Sequence, residues 1–189
     1  MQLLFLLMIV RAYKYIKQYL QFCRSNERIL ELQPEGMSAR YYGLILLRNP
    51  IKMLLNFIVV SFCFILPSSF IKNTLYRFIG IKVGKNVIIA MGVLMDPNHP
   101  ELITIGDESI LGVGTWLMTH ELTMKRIRMG RIDIGKQVLI GARSTIRSGV
   151  IIGDRAAVGL QSLVLKDVHP KELVGGVPAK LIKKLEELV

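Results

Sequence analysis

Aliphatic residues recur at every sixth position through the second half of this chain. From Ile134 they head blocks at Ile140, Ile146, Ile152, Val158 and Val164, and in four of these six blocks the next residue is Gly. The fifth residue of each block is small or branched: Val138, Ser144, Val150, Ala156, Ser162 and Val168. A helix repeats every ~3.6 residues and a strand every two, so neither produces a period of six. A strict six-residue period predicts an all-β parallel β-helix, in which three blocks make one triangular coil and coils stack at about 4.8 Å. The heading residue points inward. The Gly after it sits near a corner, where a Cβ would crowd the turn.

The period begins earlier than Ile134. Val83, Ile89 and Met95 head three blocks, and Ile105, Leu111 and Leu117 head three more, giving about four coils in all. The two breaks in the period both follow the third block of a coil. Loops at 97–104 and 120–133 should therefore leave one corner of the prism, one above the other, and build its binding face. The repeat domain is expected over residues 78–170. Residues 171–189 then form a turn at Gly175-Gly176-Val177-Pro178 and a short C-terminal helix over 181–189, which caps the open edge of the last coil.

Residues 1–77 lack the period and read as a helical region. Residues 1–22 suit one helix, and residues 24–40 a polar connection turning at Pro34-Glu35-Gly36. Residues 53–71 carry no charge, a marginal length for a membrane span. Asn56, Ser61, Pro67, Ser68 and Ser69 interrupt the run, so a helix lying in the membrane interface, or re-entering it, is expected instead.

Charge sharpens that picture. The chain has a net charge of +11, a hydrophobic fraction of 51% and a mean hydropathy of +0.43. Residues 1–80 hold 10 Lys/Arg against 3 Asp/Glu. A front that is both greasy and basic suits an anionic membrane surface. No nucleic-acid-binding motif is visible. The first apolar run has neither a basic start nor a small-residue cleavage site, so the expected location is cytoplasmic, at the inner face of the cell membrane. Cys23 and Cys63 have no metal-ligand spacing and imply no disulfide framework.

Candidate chemistry lies where the period breaks. His120 occupies the fourth position of the last block of coil two, where the long loop starts. Asp96 is the second residue of the last block of coil one, so block arithmetic puts both near one corner on adjacent coils. A carboxylate there could orient the imidazole and hold its proton on the far nitrogen. Glu121 is a second candidate orienter. His99 and His169 read as surface or turn residues. With only His120 placed toward the corner, no metal site is predicted. Lys125, Arg126, Arg128 and Arg131 make the long loop basic, either as a solvated surface or as a contact for an anionic substrate or cofactor phosphates.

Three motifs carry a resemblance over roughly residues 78–185. They are Met118-Thr119-His120-Glu121 opening the long loop, the run from Ile151-Ile152-Gly153-Asp154 through Val158-Gly159-Leu160-Gln161-Ser162 to Leu165-Lys166-Asp167, and the exit Gly175-Gly176-Val177-Pro178-Ala179-Lys180. With these the chain resembles the hexapeptide-repeat acyltransferases, and within them the galactoside and maltose type of sugar O-acetyltransferase. The resemblance implies a left-handed β-helix, a homotrimer, and acetyl-CoA as co-substrate in the groove between neighbouring prisms. His120 matches the family's general base. Gly141, Ala142 and Gly159 match positions passing the pantetheine arm, and Lys180 and Lys183 match basic positions near the CoA phosphates. Leu139 replaces an aromatic of the galactoside enzymes, and residues 1–77 have no counterpart in them. These departures bear on the acceptor more than on the donor. The expected activity is acetyl transfer to a sugar hydroxyl, including one on a lipid-linked or cell-surface saccharide. The alternatives are N-acyl or longer-chain transfer to a nucleotide sugar or amine, and a non-enzymatic membrane-bound trimeric scaffold.

Overall fold

The structure, a computed structural model, describes residues 14–33 and 50–185. Its body is a three-faced parallel β-helix. One face stacks β2 (Lys82–Val83), β5 (Ile103–Ile105), β10 (Ile132–Ile134) and β13 (Ile151–Ile152). The second stacks β3 (Ile88–Ile89), β6 (Ile110–Leu111), β11 (Leu139–Ile140) and β14 (Ala157–Val158), then continues through β16 (Glu172–Gly175) and β17 (Lys180–Lys184). The third stacks β4 (Leu94–Met95), β7 (Trp116–Leu117), β12 (Thr145–Ile146) and β15 (Leu163–Val164).

All twelve block-heading residues stand in register along these faces. Val83, Ile105, Ile134 and Ile152 form one column. Ile89, Leu111, Ile140 and Val158 form the second, and Met95, Leu117, Ile146 and Val164 the third. None is more than 9% exposed, so together they are the core. Each such side chain contributes about 1.5–3 kcal/mol by leaving water. The corners need the close approach expected of them. A Cβ on Gly141 would lie 2.6 Å from the backbone nitrogen of Leu160 in the next coil.

Two helices close the first coil. Helix α2 (Pro50–Ile65) and helix α3 (Ser69–Phe78) pack on β2, β3 and β4, whose outer edges have no strand neighbour among the described residues. Polar side chains satisfy that edge. Lys72 Nζ donates to the carbonyls of Ile89 (3.1 Å) and Ala90 (2.7 Å), Asn73 Nδ2 to Val87 (2.8 Å), and Arg77 to Val83 and Gly84 (2.9 and 2.6 Å). The uncharged stretch at 53–71 is therefore two helices broken around Pro67. Among the described residues no helix is long and apolar enough to cross a membrane.

The other end corrects an expectation. Residues 180–184 are not helical but form β17, antiparallel to β16. The exposed edge of β16 offers backbone hydrogen bonds, and these outweigh the helical preference of a Leu/Lys-rich segment. Residues 186–189 of the expected helix lie outside the described residues.

The N-terminal strap also differs from its sequence reading. Helix α1 spans residues 14–24; the first 13 residues of the helix expected over 1–22 lie outside the described residues. The presumed polar connection contains a strand, β1 (Ile29–Leu32), paired antiparallel to β9 (Ile127–Gly130) of the long loop. β9 in turn pairs with β8 (His120–Leu122). Tyr15, Tyr19, Phe22 and Leu32 make a second core with Leu102, Ile127 and Met129. Arg131 fastens the strap by donating to the carbonyls of Phe22, Ser25 and Glu27, each at 3.0 Å.

Candidate active site

Both interruptions leave the third face of the prism, after β4 and after β7. Met95 pairs with Leu117 on adjacent coils, which carries Asp96 up against the start of the long loop. Asp96 is fully buried, and a lone carboxylate there would be costly. It is instead surrounded by donors. Oδ2 accepts from the Thr119 N–H (3.0 Å), the Thr119 hydroxyl (2.7 Å) and His120 Nδ1 (2.5 Å), while Oδ1 accepts from the Asn98 N–H (3.0 Å). Burial pushes the Asp96 pKa up, but the bonds and charge from His120, Thr119 and Asn98 outweigh it and hold the carboxyl below its usual range.

An ionised Asp96 can only accept, so His120 Nδ1 carries a proton. In the neutral ring Nε2 is then the acceptor. The His120 side chain is 21% exposed. Its Nε2 meets only a long contact of 3.4 Å to Asn98 Nδ2 among the described hydrogen bonds. Burial pulls the imidazole pKa down, but the hydrogen bond and charge of Asp96, helped by Glu121, raise it above the ordinary 6.5. A ring with one nitrogen fixed by a buried carboxylate and the other left as an acceptor can take a proton from a hydroxyl.

Glu121 is placed differently from Asp96. Its carboxylate accepts from Arg147 (2.8 and 2.9 Å) and the Ser148 hydroxyl (2.5 Å). Burial raises its pKa, and these bonds more than reverse the effect. It anchors the β8–β9 hairpin to coil three, and none of its described hydrogen bonds goes to the imidazole. His99 is a correction. It is 7% exposed rather than a surface residue, because Tyr19 of α1 covers it. The Tyr19 hydroxyl donates to Glu101 Oε1 (2.8 Å) and so accepts the Nδ1 proton of His99 (2.8 Å). The His99 ring lies edge-on to His120, with centroids 6.0 Å apart. Neither Thr119 nor Asn98 stands out in the sequence as a partner of Asp96, since they pass for a small block residue and a turn residue.

The residues matched to the CoA groove gather at another corner. Gly141 and Gly159 follow β11 and β14, and Gly175 ends β16, so the three stack where the second face turns into the third. Ala142 lies beside Gly141, and Lys180 pairs with Gly175. Lys183 pairs with Leu173 and is exposed. This corner precedes β7, β12 and β15, whereas His120 follows β7. One prism thus carries His120 and its glycine corner at opposite ends of the third-face strands. Among the described residues no group of three or more His, Cys, Asp or Glu could hold a metal ion.

Comparison with known proteins identifies the architecture. The family described as "Hexapeptide repeat of succinyl-transferase" matches residues 74–97 and 131–159. "Putative acetyltransferase YvoF" of Bacillus subtilis (strain 168) is 41% identical over 139 residues, which is 73% of this chain and 81% of that protein. Among solved structures, the hexapeptide-repeat-containing acetyltransferase VCA0836 of Vibrio cholerae O1 biovar eltor, complexed with acetyl coenzyme A, superposes with a TM-score of 0.62 at 25% identity. The match covers 72% of this chain and 88% of that one. A maltose O-acetyltransferase from Clostridium difficile 630 shares the fold at a TM-score of 0.56 and 21% identity, over 72% of this chain and 86% of its own. These neighbours imply a left-handed β-helix. The chain belongs to the hexapeptide-repeat acetyltransferases, and is an acyltransferase.

Proposed function

We propose that this protein transfers an acetyl group from acetyl-CoA to a sugar hydroxyl, with His120 as general base. The observation that carries the reading is the Asp96–His120 pair at the corner where both loops emerge. His120 Nε2 takes the acceptor's proton as that oxygen bonds to the thioester carbonyl carbon. The carbon–sulfur bond then breaks, and the imidazolium returns the proton to the CoA sulfur. A peptide N–H of the coil stabilises the oxyanion. Asp96 fixes the tautomer and stabilises the imidazolium.

The donor lies along the glycine corner, with Gly141, Ala142 and Gly159 beside the pantetheine and Lys180 and Lys183 near the phosphates. Acetyl-CoA complexed with the Vibrio relative supports this choice of donor. Because base and glycine corner are separated within one prism, the working site needs a neighbouring copy, and we propose a homotrimer. The outward residues Ile88, Ile110, Leu139 and Trp116, each at least 39% exposed, give the prism an apolar flank for that packing. The acceptor class rests on the sugar O-acetyltransferase motifs. The basic, apolar N-terminal region supports a saccharide acceptor presented at the cytoplasmic face of the membrane.

The test is thiol release from acetyl-CoA with a panel of saccharides. His120→Ala should lose about 10²–10⁴ in rate with melting temperature and oligomeric state kept. Near wild-type turnover in that variant would sink the mechanism. Longer acyl donors and amine acceptors in the same panel separate the N-acyl reading.

A further inference from the structure

Helices α2 and α3 bury a mixed polar and apolar face and turn large apolar side chains outward. The face turned to the prism contains Asn56, Lys72 and Asn73, all at most 8% exposed, beside Val59, Val60, Cys63 and Tyr76. The face turned outward carries Phe57 (59%), Phe62 (51%), Phe70 (82%) and Phe78 (70%), with Leu54, Ile58 and Ile65 also more than half exposed. The polar residues point inward because the bare edge of coil one needs donors. Nothing in water explains the outward residues, since a continuous apolar face on a soluble surface marks an interaction site.

Charge selects the occupant. From Gly36 to Met95 the sequence has no Asp or Glu and seven Lys/Arg. Of these, Arg77, Lys82 and Lys85 are exposed at this end of the prism. Pairing this face with a second copy would set like charges together, whereas anionic headgroups would neutralise them. The copy-packing flank proposed above lies on the sides of the prism, and these helices close its end. Helix α2 has 16 residues, a length of about 24 Å, which is short of the ~30 Å hydrocarbon core and suits a helix lying in the interface.

We propose that the outward face of α2 and α3 docks on an anionic lipid bilayer and holds the Asp96–His120 corner beside the membrane. The link to the site is direct. Asn56 Nδ2 of α2 donates to the Pro97 carbonyl (3.0 Å), and Lys52 reaches Glu101 (3.8 Å). Both partners belong to the loop that follows Asp96. An acceptor anchored in lipid would thus meet the catalytic corner at the headgroup level. This deepens the membrane-side placement of the acetyl-transfer reading and rests on it for the acceptor, while docking itself is measured without any acceptor.

The experiment is flotation of the full chain with vesicles of phosphatidylcholine, with or without a quarter phosphatidylglycerol. A variant carrying Phe57→Ser, Phe62→Ser, Phe70→Ser and Phe78→Ser is run alongside, and melting temperatures show that both proteins are folded. Wild type should float with the anionic vesicles and lose that binding at high salt. The variant should bind at least about tenfold less, with acetyl transfer to a soluble sugar within about twofold of wild type. Wild type left at the bottom with both vesicles would overturn the proposal, as would a variant that floats equally well. A wild type that fails to float but forms a larger oligomer than the variant would assign the face to a second copy instead. Failure of wild type to float refutes docking, and absence of thiol release in wild type refutes the chemistry, so the two failures are distinguishable.

Discussion

Asp96→Asn isolates what the buried carboxylate contributes. The substitution keeps the shape and removes the charge, and the amide can sit in two ways. With its oxygen in the Oδ2 position, it still accepts from Thr119 N–H, the Thr119 hydroxyl and His120 Nδ1, while its NH2 faces the Asn98 N–H. With its NH2 in that position, it opposes the Thr119 N–H and forces His120 onto the other tautomer, which blocks Nε2. Each unsatisfied buried group costs about 1–3 kcal/mol. The first arrangement sacrifices fewer donors, so it should prevail and keep Nε2 basic. What is lost is the difference between a charge-assisted and a neutral hydrogen bond, about 1–1.5 kcal/mol. That corresponds to roughly tenfold in kcat/KM. A loss near 10⁴ would mean that the amide turns the other way.

The assay is kcat/KM against pH. In the proposed mechanism the base must be neutral to act, so the rate should rise as His120 loses its proton. In wild type Asp96 raises that pKa above the ordinary 6.5, and in the variant the midpoint should move down. Stability carries the opposite pH signature from each partner. The Asp96 contribution is present above the ordinary 3.8 and fades as pH falls through its lowered pKa. The His120 contribution is complete below 6.5 and fades as pH rises through its raised pKa. The melting temperature of wild type should therefore exceed that of the variant most between these two values. A variant with wild-type rate and an unmoved midpoint would refute the assignment of Asp96 as orienter.

Two further substitutions check neighbouring claims. Glu121→Gln breaks its pairing with Arg147 but removes no described hydrogen bond to the imidazole, so kcat/KM should stay within about threefold and the pH midpoint should shift less than for Asp96→Asn; a loss beyond tenfold would make Glu121 the orienter. Gly141→Ala puts a Cβ 2.6 Å from Leu160 N and 2.7 Å from Gly159 C, both backbone atoms of the next coil. Overpacking of this kind costs about 1–3 kcal/mol, or about 2–12 °C in Tm for a chain of this size, read by thermal melting, and an unchanged Tm would contradict the close stacking at that corner.

The prism was readable because its rule is covalent. A six-residue block moves the chain round one face whatever its neighbours do, so Val83, Ile105, Ile134 and Ile152 align from spacing alone. The same arithmetic brought Asp96 to His120, since both are counted from the heads of stacked blocks. What escaped depends on partners far away in the chain. Ile29–Leu32 becomes a strand only because the long loop supplies β9 as an edge. Residues 180–184 become a strand because β16 is open. His99 is buried by Tyr19, 80 residues earlier. Local propensity is a weak prior wherever an unpaired edge waits to be filled.

That distinction also explains how the site is assembled. The prism sets the dyad with little freedom, because Asp96 N donates to the Leu117 carbonyl (3.1 Å) as part of the coil ladder. The ladder does not set the loops, which leave the corner without a coil neighbour of their own. The N-terminal region does that work from two sides. The strap covers the long loop through β1 and Arg131 and reaches the short loop through Tyr19. Helix α2 holds the short loop through Asn56 and Lys52. Described residues of the helical region that precedes the repeat therefore form two walls of the corner that holds His120. The repeat fixes the Asp96–His120 pair, and the segment without a repeat holds the loops beside it.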